Sequence, residues 1–210
     1  NCAPLPPLRT THFALRIVKK RGAFMYNNIV VYCGSHFGNN PAYASFAGRL
    51  GEALGKGGFH MIYGGGTVGL MGICADAAMA AGGKVTGVIP EVFIAKEQAH
   101  RGITELIEVE NMTIRKQKMI QMGDAFLILP GGFGTLEELA DTANQYHIYG
   151  AKDHQPPILI VNIDGIYDGL QKQMEAWRDA GFIEKGDWGN IHFCQDLDDV
   201  MEIIGKSSEK

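Results

Sequence analysis

An apolar run, residues 124–129, meets Pro130-Gly131-Gly132-Phe133-Gly134 and gives way at once to the helix-favouring stretch Thr135-Leu136-Glu137-Glu138-Leu139. No other feature restricts the fold of this chain as strongly. A buried strand that must become a helix within a few residues needs glycines, which reach backbone conformations closed to other residues. The same succession of apolar run, glycine-rich turn and helix occurs twice earlier. It is seen at Tyr32-Cys33-Gly34-Ser35-His36-Phe37-Gly38 and at Tyr63-Gly64-Gly65-Gly66-Thr67-Val68-Gly69-Leu70-Met71-Gly72. Any one of these is explained by a tight strand-to-helix turn. Three together point to repeated βα units with their turns gathered at one edge of a sheet, where ligands bind.

The remaining pattern agrees. Strands are predicted at residues 29–33, 60–63, 84–89, 125–129 and 158–162, and helices at 41–56, 69–81, 112–122, 135–147 and 166–180. A final helix at 197–204 should pack across the sheet. The strands are continuous apolar runs, as in parallel sheets buried on both faces. The expected fold is therefore α/β, a Rossmann-like doubly wound parallel sheet in a single domain spanning residues 25–206. Residues 1–24 carry three prolines and the basic Lys19-Lys20-Arg21 cluster but no periodicity and no secretory pattern. They read as a leader or extension without folded structure, with Met25 as the natural start, and 207–210 as a polar tail. A net charge of −4 shows no bulk attraction for nucleic acid or anionic membrane. Cys2, Cys33, Cys74 and Cys194 lack C-x-x-C spacing, which suits reduced thiols in the cytoplasm. The histidines are scattered, and no metal site is expected.

The chemistry concentrates at the third turn. Backbone N–H groups of Gly131, Gly132, Phe133 and Gly134, with the positive end of the following helix, form an anion cradle. Thr135 adds a hydroxyl and Glu138 a carboxylate one turn later. Two readings of Glu138 are open: an acid facing the uncharged part of a phosphorylated substrate, or the last member of a Thr135-x-x-Glu138 capping box. Arg115 lies along the Met112, Met119, Met122 stripe of a helix. There it is either a planar, permanently charged fork for phosphate or hydroxyls, or a snorkelling surface residue. Lys116 points away from that stripe, towards solvent or an interface. A dinucleotide fingerprint would follow the first strand, whereas Gly64, Gly66 and Gly69 follow the second. No glycine turn carries a Walker lysine. A nicotinamide enzyme and a P-loop ATPase are both rejected.

At these residues the chain resembles the LOG (Lonely Guy) family, cytokinin riboside 5′-monophosphate phosphoribohydrolases, often mislabelled lysine decarboxylases. The carriers are the P-G-G-x-G-T-x-x-E run from Pro130 to Glu138, the Arg115-Lys116 pair, and the Gly64 to Gly72 turn. The resemblance implies hydrolysis of a nucleoside 5′-monophosphate to free base and ribose 5-phosphate, without a cofactor. It implies Arg115 and Glu138 as the catalytic pair and phosphate at Gly132, Gly134 and Thr135. Gly131, Phe133, Lys116, Gly34, Ser35 and Glu97 complete the binding set. Asn144 stands where plant members tend to have a substrate-contacting threonine, which puts base preference in question. Asp141, three residues after Glu138, is a candidate support for it. A homodimer with the Arg115 helix near its interface is also implied. The alternatives are a non-catalytic carrier resembling molybdenum-cofactor carriers and, more weakly, a pyridoxal-dependent decarboxylase, which needs a Schiff-base lysine.

Overall fold

Alternate residues of each central strand feed two separate apolar clusters, and this two-sidedness builds the molecule. Ile29, Val31, Met61, Leu127 and Val161 face one layer, while Val30, Ile62, Phe126, Ile128 and Ile160 face the other. The computed structural model describes residues 26–94, 99–150, 155–183 and 190–205. The expected leader, the polar tail and Glu97 lie outside the described residues.

In chain order the elements are β1 (Asn28–Tyr32), α1 (Pro41–Lys56), β2 (His60–Tyr63), α2 (Gly69–Ala80), β3 (Lys84–Pro90), α3 (Glu91–Ile94), β4 (Glu105–Val109) and α4 (Met112–Met122). They continue with β5 (Ala125–Ile128), α5 (Phe133–Tyr149), β6 (Ile158–Val161), α6 (Asp168–Asp179), β7 (Ile191–Cys194) and α7 (Leu197–Ile204). The seven strands form one parallel sheet in the order β4-β3-β2-β1-β5-β6-β7. The expected doubly wound α/β fold is the one observed.

Two strands escaped the sequence reading, and they are the two edges. β4 is mostly exposed or half-buried and carries Glu105 and Glu108, and β7 carries His192. Charged and polar side chains blunt edge strands against pairing with other chains, and they also erase the apolar run by which a strand is recognised. Helix α5 starts at Phe133, two residues before the expected Thr135. A 3-10 turn, Ile163–Gly165, precedes α6, which therefore begins at Asp168 instead of residue 166.

The closest helix packing is between α1 and α2. Gly51 and Gly55, one turn apart on α1, lie against the backbone of Cys74 and Ala78, one turn apart on α2. A Cβ at Gly55 would come within 2.6 Å of the Ala78 carbonyl oxygen, and one at Gly51 would collide with that of Cys74. Helix propensity alone favours Gly51→Ala by about 1 kcal/mol. Overpacking against immovable backbone should outweigh it, with a net destabilisation of about 1–3 kcal/mol in urea unfolding. A more stable Gly51→Ala protein would show that the two helices separate easily.

Candidate active site

Strand order reverses between β1 and β5, so the chain leaves these neighbours in opposite directions and opens a crevice at their carboxyl ends. The three glycine-rich turns meet there. The Gly34 N–H donates to the Pro130 carbonyl at 3.0 Å, and the Leu70 N–H donates to the Gly34 carbonyl at 3.2 Å. Gly69 has φ of 60°, and a Cβ on it would run into the Ser35 backbone. The first turn is thereby clamped between the second and third. Above them opens a cavity of about 610 Å³ lined by the first turn, the third turn, Arg115 and Glu138. Cys33 forms part of its wall. Burial above all, with Cys74 nearby, pushes its thiol well above the ordinary range, so it stands there as a neutral thiol.

The start of α5 decides between the two readings of Glu138. Its N-cap is Gly132, which has no side chain to offer, and the Leu136 N–H bonds back to the Gly132 carbonyl at 3.0 Å. Thr135 is thus inside the helix and cannot be its cap, so the Thr135–Glu138 capping box does not form. The first N–H groups of a helix have no partner within it. By contrast, side chains of Asn40, Asn111 and Asp196 cap α1, α4 and α7. The α5 terminus lines the cavity, and the positive end of its dipole lies there.

Glu138 instead meets Arg115. The guanidinium Nη2 lies 3.2 Å from Oε1 of Glu138, with both side chains under 10% exposed. Gly64 is what lets the guanidinium in, since a Cβ there would collide with Nη2. The Arg115 Nε is buried without a hydrogen-bond partner among the described residues, so the snorkelling reading fails. The turn of α5 that carries Glu138 is fixed from the sheet: Thr142 donates its hydroxyl proton to the Glu138 carbonyl at 2.8 Å. That leaves Tyr32 as the donor in its 3.2 Å bond to Thr142.

Residues 71–204 match the family described as "possible lysine decarboxylase". A cytokinin riboside 5′-monophosphate phosphoribohydrolase of Rhodococcoides fascians is 38% identical over 178 residues, covering 84% of this chain and 88% of that protein. One from Arabidopsis thaliana is 38% identical over 158 residues, covering 75% and 71%. The chain belongs to the LOG family. Among solved structures, the molybdenum cofactor carrier protein of Chlamydomonas reinhardtii aligns with a TM-score of 0.64 at 17% identity, covering 86% of this chain and 99% of that one. The molybdenum cofactor binding protein of Rippkaea orientalis gives 0.61 at 20%, covering 85% and 94%. At such identities the likeness is one of fold.

Of the residues expected at the site of this LOG-family chain, Gly34, Ser35, Arg115, Gly131, Gly132, Phe133, Gly134, Thr135 and Glu138 line the cavity. Lys116 does not. It turns from solvent and cavity alike, and its Nζ sits 2.6 Å from both Glu137 and Asp141. Burial pulls its pKa down, but the bonds from Asp141 and Glu137 outweigh that and leave it raised. Arg115–Glu138 and Lys116–Glu137/Asp141 are therefore two adjacent ties between α4 and α5, and Asp141 serves Lys116 where support for Glu138 was expected. Asn144 is exposed on α5 and is not part of the lining.

The sequence reading missed the apolar wall, where Phe37, Tyr43, Phe93 and Ile166 contribute. Phe37 is 55% and Phe133 92% exposed, so two aromatic rings stand free at the mouth. Phe93 and Ile166 follow β3 and β6, and the rule that places ligands at carboxyl ends of strands was the signal available for them. Gly64→Ala should displace the guanidinium by about 1 Å and lower kcat/KM for the cavity's substrate about 10²-fold. Its circular dichroism should match wild type. Unchanged turnover would show that Arg115 tolerates the shift.

Proposed function

We propose that this chain hydrolyses the N-glycosidic bond of a nucleoside 5′-monophosphate, an N6-modified AMP such as a cytokinin nucleotide or AMP itself, releasing free base and ribose 5-phosphate. The observation that carries the reading is the buried Arg115–Glu138 pair beside the uncapped start of α5. The phosphate binds the N–H groups of Gly132, Gly134 and Thr135, with the Thr135 hydroxyl alongside. Carboxylate and phosphate repel, so Glu138 faces the ribose. Water adds to C1′ as the bond to the base nitrogen breaks. One of its protons goes to the base, and the oxygen stays on the sugar. The transition state resembles an oxocarbenium ion, as in glycoside hydrolysis. Glu138 stabilises that cation or orients the water, and Arg115 holds ribose hydroxyls or phosphate in register.

The names of the sequence relatives support this reaction. The aromatic rings at the mouth suit a planar base with an apolar substituent. A cofactor carrier on the same fold would use the cradle but has no need of the ion pair. A pyridoxal enzyme needs a lysine, and no described lysine lines the cavity. A cytoplasmic homodimer completes the reading. Ile114 on α4 and Leu136 on α5, 37% and 40% exposed, support contact between copies on that face.

Incubation with a panel of nucleoside monophosphates, followed by identification of the released base, tests the reaction. Glu138→Gln keeps the shape of the side chain and should cost about 10³-fold or more in kcat/KM. Arg115→Ala should be as inactive, and also less stable, because it removes the buried cation that faces the Glu138 carboxylate. Base release by Glu138→Gln near the wild-type rate would refute the assignment.

A further inference from the structure

The connection from β6 to α6 is more heavily bonded than a connecting loop requires. Asn162 is 3% exposed. Its Oδ1 accepts the Tyr167 N–H at 2.7 Å, and its Nδ2 donates to Asp168 at 2.8 Å. Its own N–H donates to the Cys194 carbonyl of β7 at 2.8 Å. Asp164 has φ of 51°, the only non-glycine residue with positive φ among those described. It is held there by Asn40, the cap of α1, whose Nδ2 donates to its carboxylate at 2.7 Å. Backbone in a sparsely populated region persists where its surroundings over-determine it, and such places cluster at functional sites.

This bonding ends on Tyr167. Its ring packs in the core beneath α5, and its hydroxyl donates to the Leu129 carbonyl at 2.7 Å. Burial pushes the phenol's pKa up, and the Gly131 backbone, near the phenol oxygen, draws it down by less. The phenol thus holds the residue before Pro130, which has no N–H of its own, at the corner where β5 becomes the anion-binding turn. Besides the Gly34 N–H on the Pro130 carbonyl, that turn has little else to hold it. Its glycines carry no side chains, and a chain of glycines loses more freedom on ordering than any other. A flexible cradle would have to be ordered by its ligand at the expense of affinity.

We propose that Tyr167 is a positioning residue whose hydroxyl presets the Pro130–Thr135 turn for the substrate's phosphate. It touches no substrate; it acts through the backbone carbonyl of Leu129. The inference rests on the phosphate-at-this-turn part of the functional reading above and is independent of whether the bound nucleotide is then cleaved.

Calorimetry of the full chain in a Glu138→Gln background, in which AMP is not cleaved, with AMP, inorganic phosphate and adenosine tests it without turnover. Tyr167→Phe removes a single oxygen and keeps the ring in the core. Binding of AMP and of phosphate should weaken by about tenfold or more, while adenosine, which lacks the phosphate, should bind as before. In steady-state assays the loss should appear in KM for the nucleotide and not in kcat. A purely structural defect would weaken AMP and adenosine alike. Asn162→Ala, which frees the Tyr167 backbone without touching the phenol, serves as the second variant and should show the same selective loss.

Wild-type affinity for AMP in both variants, or an equal loss for AMP and adenosine, overturns the proposal. A wild-type protein that binds AMP but releases no base sinks the hydrolase reading and leaves this one standing. A wild-type protein that binds neither AMP nor phosphate sinks both.

Discussion

Everything at the site depends on the reversal of strand order between β1 and β5. In a parallel sheet every βα turn already sits at one edge, but most are closed by the helix that follows. Where neighbouring strands send their chains in opposite directions, no helix covers the gap, and a ligand-sized space remains. In this molecule the two turns flanking the gap approach closely enough for a 3.0 Å bond between Gly34 and Pro130. A Cβ at Gly34 would press within 3.3 Å of the Pro130 carbonyl oxygen, and one at Gly131 would collide with Thr135. Glycine is therefore required by the backbone geometry of the gap as well as by any ligand.

The Arg115–Glu138 pair is poorly explained as a stabilising contact. Removing two charges from water costs several kcal/mol for each, and replacing such pairs by apolar residues is often neutral or favourable. The pair in this chain is imperfect as well, since the Arg115 Nε lacks a partner among the described residues. The neighbouring tie, Lys116 to Glu137 and Asp141, already joins α4 to α5 at a half-exposed position where desolvation is cheaper. On the proposed function, the inner pair is left for chemistry. A substrate hydroxyl or phosphate oxygen would supply an acceptor for Nε, and a developing positive charge at C1′ would give Glu138 a second cation.

How far this was legible in the sequence follows from where the information is local. β1, β2, β3, β5 and β6 are largely buried on both faces, and short apolar runs bounded by glycine-rich turns read as buried strands. β4 and β7 have one solvated flank, so Glu105, Glu108 and His192 break the run although the backbone pairs normally. The start of α5 was misread because Phe133 and Gly134 are poor helix formers, and Thr135 has the composition of a cap. What the structure shows is Gly132 as the N-cap, with the Leu136 N–H bonded back to the Gly132 carbonyl. The anion cradle, Arg115 and Glu138 could be read because a glycine turn and its charged neighbours are contiguous or helically spaced. Lys116 could not be assigned, because its two partners lie on a different helix.

Tyr167 marks the limit of local reading. Nothing within ten residues of it identifies a binding turn, and its bond to Leu129 spans 38 positions in sequence. Glycine-rich turns make such remote support a physical necessity. The residue that permits a close approach to phosphate is also the one that cannot fix itself, so rigidity must be imported from side chains elsewhere. In this fold the nearest supply is the next βα connection on the same face of the sheet, and in this chain that connection, 162–168, carries the bonds. The same reasoning applies to the first turn, which borrows its rigidity from Gly69 and Leu70 of the second. Each glycine turn at the crevice is held by a neighbour, and a site whose motif is short in sequence is built from most of the sheet's carboxyl edge.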